Sequence, residues 1–267
     1  MAKDSLLENV PSPRLVMIGG SNLSMSLDSQ KIKDSLHLNP INMGLHAGMG
    51  LIFHLDHALP HIQKGDVVLV VPEYAQFEGN FAYGDKELLL AVCDLRVAGL
   101  ADLNWRQIKN ITGFVPKYAF TKFNRSEYKK PKGKVLNLKE TFNQYGDWVT
   151  RFDSVHNTVT YGKSLPEVNE NVMAHLKDFE QQLKARGAKL LVSFPALQDA
   201  SYDNAEELIT AVSKSYYENE FRVIGNAAQY RFSNDLMYDT PYHLNHKGVQ
   251  IRTQMLIRDL LHADLKP

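Results

Sequence analysis

The chain has 267 residues, 44% hydrophobic and 22% charged, the balance of a globular protein with a sizeable core. Its 30 basic and 30 acidic side chains cancel, which leaves no electrostatic case for nucleic acid or an anionic membrane surface. Cys93 is the only cysteine, so an intrachain disulfide and a thiolate metal cage are both excluded, and no apolar run approaches the ~18 residues of a membrane span.

The opening "MAKDSLLENVPSPR" is polar and does not read as a secretory signal; as it stands the chain reads as cytoplasmic, and as extracytoplasmic if an N-terminal anchor was removed. "RLVMIG" (14–19) is a short continuous apolar run, the pattern of a strand covered on both faces. "PINMG" (40–44) is a shorter candidate strand, a helix is expected over about 48–63, and "DVVLVV" (66–71) is a second buried strand. Residues 79–160 break this rhythm with aromatic and basic residues and no clear buried strand. They read as a partly helical insertion packed beside the sheet and over its active edge, with "KKPKGK" (129–134) as an exposed loop. A helix over 166–186 follows, with Val168, Val172, Leu176, Phe179 and Leu183 at helical spacing and Gly187 near its C-cap. Then come the strand "AKLLVSF" (188–194), a helix over 204–219, the strand "FRVIG" (221–225) and a helix over 246–262.

Strand–helix–strand alternation calls for parallel strands joined by right-handed crossovers. The expectation is a single α/β domain over 1–267 with the insertion at about 79–160. Its architecture is a three-layer α/β/α sandwich with a mostly parallel, flavodoxin-like five-stranded sheet.

In such sheets the working site lies beyond the carboxyl ends of the strands. Three segments should meet there: "GGSNLS" (19–24), "NMGLHAGMG" (42–50) and "NDLMYDTPYHLNHKGVQIRTQML" (234–256). A serine nucleophile needs an imidazole to take its proton, a carboxylate to hold that imidazole, and N–H donors for the oxyanion. Ser21, His243 and Asp239 have the right chemistry for the first two roles, and the turns at Gly20 and Gly44 bring backbone N–H groups close to a substrate. The plain alternatives are Ser21 as a helix N-cap and Asp239 as a turn residue before Pro241. Glu73, at the end of the 66–71 strand, is either a buried structural acid or a substrate contact.

His54, His57 and His61 share one helix face, and His243 lies near His246, but neither set follows a metal-ligand motif. No metal and no cofactor is expected; the glycines after the first strand form neither a dinucleotide fingerprint nor a P-loop. "TFNQYGDWV" (141–149) reads as a packed turn or as one wall of a sugar-sized cleft.

Three blocks, "GGSNLSMSLDS", "INMGLHAGMG" and "YDTPYHLNHKG", together resemble the SGNH (GDSL-like) hydrolase superfamily, in its bacterial branch with a Gly-Ser-Asn first block. The resemblance covers both ends of the chain and the 66–71 strand and leaves 79–160 unmatched. It implies Ser21 as nucleophile, His243 as general base, Asp239 as its orienting carboxylate, and oxyanion N–H groups from Ser21 and Gly44. The chain departs from the pattern twice. Asp239 and His243 are four apart rather than three, which leaves Asp235 or a backbone carbonyl as rival partners of the imidazole. Glu73 stands where the family's third block has asparagine, so Asn22 or Asn42 is a candidate substitute donor. The implied activity is a serine esterase or acylhydrolase on O-acyl, above all acetyl, esters of small molecules, carbohydrates or cell-envelope polymers. An O-acyltransferase and a non-catalytic carbohydrate-binding or assembly protein on the same fold are the alternatives.

Overall fold

Strands without polar alternation need cover on both faces, and the sheet has it. The computed structural model describes residues 2–94, 99–123, 141–150 and 159–263. Strands β1 (Arg14–Gly19), β2 (Asn39–Asn42), β3 (Val67–Val71) and β4 (Lys189–Val192) form a parallel sheet in the order β2-β1-β3-β4. Every residue of β1 and β3, the two central strands, is buried.

Because side chains alternate across a strand, each helix layer takes one parity. Val16, Ile18, Val68, Val70 and Leu190 pack with Leu51 and Leu55 of α4 (Leu51–Ala58), Leu176 and Leu183 of α8 (Glu170–Ala185), and Leu208 of α9 (Asp199–Glu218). Leu15, Met17, Leu69 and Leu191 pack instead with Ile32 of α3 (Ser29–Leu36) and with Leu256 and Leu260 of α10 (His246–His262). The result is an α/β/α sandwich. Its other described helices are α1 (Ala2–Asn9), α2 (Ser21–Ser26), α5 (Lys86–Cys93), α6 (Trp105–Thr112) and α7 (Val115–Lys122). Among the described residues, no helix is long and apolar enough to cross a membrane.

Three expectations about elements are corrected. The run at 221–225 is not a fifth strand: it meets β4 at one bridge, Val192 with Val223, through Val192 N–H to Arg222 O (3.0 Å) and Ile224 N–H to Val192 O (2.9 Å). It reaches the sheet only at the last residue of β4 and then turns away at Gly225, whose φ of 68° is left-handed. A separate two-stranded parallel sheet, β5 (Leu197–Gln198) with β6 (Arg231–Phe232), lies beyond. The helix expected over 48–63 is a single α4 between two 3₁₀ turns, because Gly50 has φ 88° and Pro60 interrupts the other end. The helix expected from 204 begins at Asp199.

The insertion supplies α5, α6 and α7, and its apolar side chains Leu88, Leu89, Leu103 and Ile111 pack on Met49 and Phe53 as a satellite core. "KKPKGK" (129–134) lies outside the described residues. At the amino edge of the sheet, Arg14 and Asp66 form a fully buried ion pair. Arg14 Nε donates to Asp66 (2.9 Å), and its terminal nitrogens also donate to the carbonyls of Leu7 (2.8 Å) and His61 (2.7 Å).

Candidate active site

β1 runs directly into α2, and Ser21 is the first residue of that helix. The cap position is Gly20, and no side chain caps the turn, so Ser21 is not an N-cap. A Cβ on Gly20 would meet the Glu73 carboxyl carbon and the Ala47 side chain at 3.0 Å, so the bare backbone is what lets β1 end against the loop after β3. This is the β1/β3 switch point, where the strand order reverses and a crevice opens.

The loop before α10 is folded as a tight bracket. Met237 and Leu244 form an antiparallel bridge, Tyr238 N–H donates to His243 O (2.8 Å), and Asn245 caps α10 by accepting the Gly248 N–H (3.0 Å). Ser26 of α2 clamps this bracket: its hydroxyl donates to Tyr242 O (3.1 Å) and accepts the Leu244 N–H (3.3 Å), one residue on either side of His243. Tyr242 in turn accepts the Tyr74 N–H at 3.0 Å, fixing the loop to the segment after β3.

Ser21, His243 and Asp239 are thereby brought together. His243 Nδ1 lies 2.7 Å from Asp239 Oδ1, and His243 Nε2 lies 2.8 Å from Ser21 Oγ. An ionised carboxylate only accepts, so the imidazole proton sits on Nδ1 and Nε2 accepts the Ser21 hydroxyl. The four-residue separation is absorbed by the bracket, and neither rival partner is used: the exposed Asp235 carboxylate accepts from Ser233 Oγ (2.5 Å) instead. The side chains of His243 and Asp239 are 13% and 40% exposed. Partial burial pushes the Asp239 carboxyl up, but the His243 hydrogen bond and charge, with the backbone N–H groups of Asp239 and Thr240, outweigh it and hold the group below its ordinary value.

The expected oxyanion donors are arranged differently from the sequence reading. The Gly44 N–H is occupied by Asn42 Oδ1 at 3.0 Å. Its missing Cβ makes room for Gly20 O and Ser24 N, each 2.8 Å from where that atom would sit, and not for a substrate. Asn42 is fully buried and donates to Leu23 O (3.0 Å) and Asp147 Oδ1 (2.8 Å). Asn22 is also buried, its amide donating to Val71 O at 3.2 Å. Both asparagines are structural, which removes them as substitutes. Among the described residues no acceptor takes the Ser21 N–H.

Glu73 remains at the cleft. It is buried, lines the same space as Ser21 and His243, and its Oε1 accepts the Asn22 N–H at 3.4 Å. Burial lifts its carboxyl to about 7, against the lowering pull of His243 and that N–H, so near neutrality the carboxyl exchanges between acid and anion.

Sequence reasoning missed Lys3. It is fully buried in α1, donates to Gly44 O and sits 4.1 Å from the Phe142 ring centroid. Burial lowers its ammonium to about 7, with Asp147 pulling the other way. Its spacing of four from the buried Leu7 was the available signal for an inward face. The "TFNQYGDWV" segment is a packed turn that also lines the cleft. Asp147 is buried and accepts from Ser29 Oγ (2.7 Å) and Ser29 N–H (2.8 Å), while Phe142 and Trp148 meet edge-to-face at 5.7 Å and line the cleft. Tyr161 also lines it, with no sequence pattern to announce it.

His57 pairs with Asp4 (2.9 Å) and His54 approaches His46 O (3.3 Å), so the histidine face of α4 has partners of its own. Among the described residues, no group of three or more metal-ligating side chains could hold an ion. The chain matches no family model and no curated protein.

Proposed function

We propose that the protein is a serine esterase of SGNH (GDSL-like) type acting on O-acyl esters, with a carbohydrate or cell-envelope polymer as the alcohol part. The observation that carries this reading is the continuous relay from Asp239 through His243 to the Ser21 hydroxyl, 2.7 and 2.8 Å long, open to a cleft.

Ser21 Oγ attacks the ester carbonyl carbon while Nε2 of His243 takes the hydroxyl proton, and Asp239 stabilises the imidazolium. As the tetrahedral intermediate collapses, the C–O bond to the alcohol breaks and the imidazolium returns that proton to the departing oxygen. Water then attacks the acyl-serine with the same base, releasing the carboxylic acid and the Ser21 hydroxyl. The Ser21 N–H and the neutral form of Glu73 are the donors at hand for the oxyanion. A neutral carboxyl carries the O–H that an anion lacks.

A fluorophosphonate probe tests the reading. Labelling confined to Ser21, with p-nitrophenyl ester hydrolysis lost in Ser21→Ala, is the expected result. Folded protein that takes no label and cleaves no ester sinks it in favour of a binding role. A supplied sugar that leaves as its ester would instead mark acyl transfer.

A further inference from the structure

The cleft beside Ser21 has a volume of about 690 Å³, within the range of sites that engulf a drug-sized ligand. Its surface is overwhelmingly apolar. Met25, Leu45 and Met49 line it together with Leu90 of α5, Phe142 and Trp148, the last three from the insertion. At about 30 Å³ per water-sized group, the three heavy atoms of an acetyl group would fill only about 90 Å³ of this space. The polar side chains that also line it, among them His46, Glu73, Glu87 and Asp94, give a small share of the surface, so most of a sugar's hydroxyls would face apolar carbon, at a desolvation cost.

Resting on the esterase reading, we infer that the acyl group is an unbranched apolar chain of roughly eight to twelve carbons, a length that fills about a third to a half of the cleft at that volume per group. The alcohol part occupies the remainder toward the mouth. The insertion is then the element that sets chain length: it closes the apolar space, while the chemistry comes from the loops at the sheet edge. Each methylene drawn from water into such a surface is worth about fourfold in binding or in kcat/KM, until the space is full.

Two measurements test this separately from the esterase reading. The Ser21→Ala protein is titrated calorimetrically with methyl esters from acetate to decanoate, which needs no turnover. The dissociation constant is expected to fall about fourfold per methylene and to level off near the long end. A length-independent constant, or no binding of octanoate, overturns the acyl assignment whatever the enzyme does. In parallel, wild-type kcat/KM on p-nitrophenyl esters of the same chain lengths should climb together with affinity. Labelling at Ser21 with acetate as the best substrate overturns the chain-length assignment and leaves the esterase standing. Tight octanoate binding without labelling or hydrolysis removes the esterase and keeps the apolar site. Leu90→Trp narrows the insertion wall and should lower the octanoate-to-acetate ratio of kcat/KM at least tenfold; an unchanged ratio means that the chain lies elsewhere.

Discussion

The two edges of the four-stranded parallel sheet handle charge in opposite ways. At the amino edge, Arg14 and Asp66 are fully buried, and each guanidinium nitrogen has a partner in Asp66 or in the carbonyls of Leu7 and His61. Nothing there is left for a ligand. At the carboxyl edge, the relay of Asp239, His243 and Ser21 is partly exposed and ends on a hydroxyl facing a cleft, with Glu73 buried beside it. A closed ion pair holds β1 to the turn before β3; an open one retains the capacity to move a proton.

Three changes at the carboxyl edge would break this contrast, in descending order of effect, the first with a counterpart at the amino edge. Ser21→Ala at the open edge should reduce kcat/KM at least about 10⁴-fold with little change in melting temperature. At the closed edge Asp66→Ala should destabilise the fold by about 3–5 kcal/mol, since it strands a buried guanidinium, as denaturant titration would read. A Ser21→Ala protein with wild-type turnover would erase the distinction. Second, Asp239→Asn should cost about 10²–10⁴-fold in kcat, because the amide can present its N–H to the ring and reverse the tautomer. A loss below tenfold would mean that the ring is held by its bracket alone.

The third change sharpens the contrast through pH. Glu73 has an ordinary carboxyl value of 4.5 in the unfolded chain and about 7 when folded. Between those values the unfolded state binds fewer protons, so the stability of the fold declines as pH rises through that window. Glu73→Gln should flatten this decline; on the esterase reading the wild type should also lose kcat as Glu73 ionises above pH 7, Glu73→Gln should not, and Glu73→Ala should be slower at every pH. Unaltered profiles in Glu73→Gln would dismiss the acid from the site. Asp239 works in the other direction: its folded value is depressed, so its contribution is present above the ordinary carboxylate value and is lost as pH falls through the folded one.

The sheet was readable because a buried parallel strand has a local signature: continuous apolar residues at 15–19 and 67–71 have few other uses in a chain. The run at 221–225 carries the same signature and fails, since its pairing depends on where the preceding helix delivers it and Gly225 bends it off β4. The meeting of Ser21, His243 and Asp239 was readable for a related reason: they sit at a strand end and before a capped helix, where sequence punctuation is strong. What their neighbours do was not. Gly44 and Asn42 suggested an anion pocket by residue type, yet they bond each other, and only the three-dimensional placement of Leu23, Asp147 and α2 explains it. The cleft's apolar wall was illegible because Met25, Leu90 and Trp148 come from segments far apart in the chain, with no periodicity linking them.

Gly20 and Glu73 share one small volume: the acid's carboxyl occupies the space where any side chain at position 20 would begin. The two positions are therefore bound to each other through descent. A lineage that acquired alanine at the first would have to shrink or withdraw the second, and one that carried a shorter side chain at the second would leave only Ala47, at 3.0 Å, against a Cβ at the first. Paired substitution at these two sites is the trace this geometry should leave in evolution.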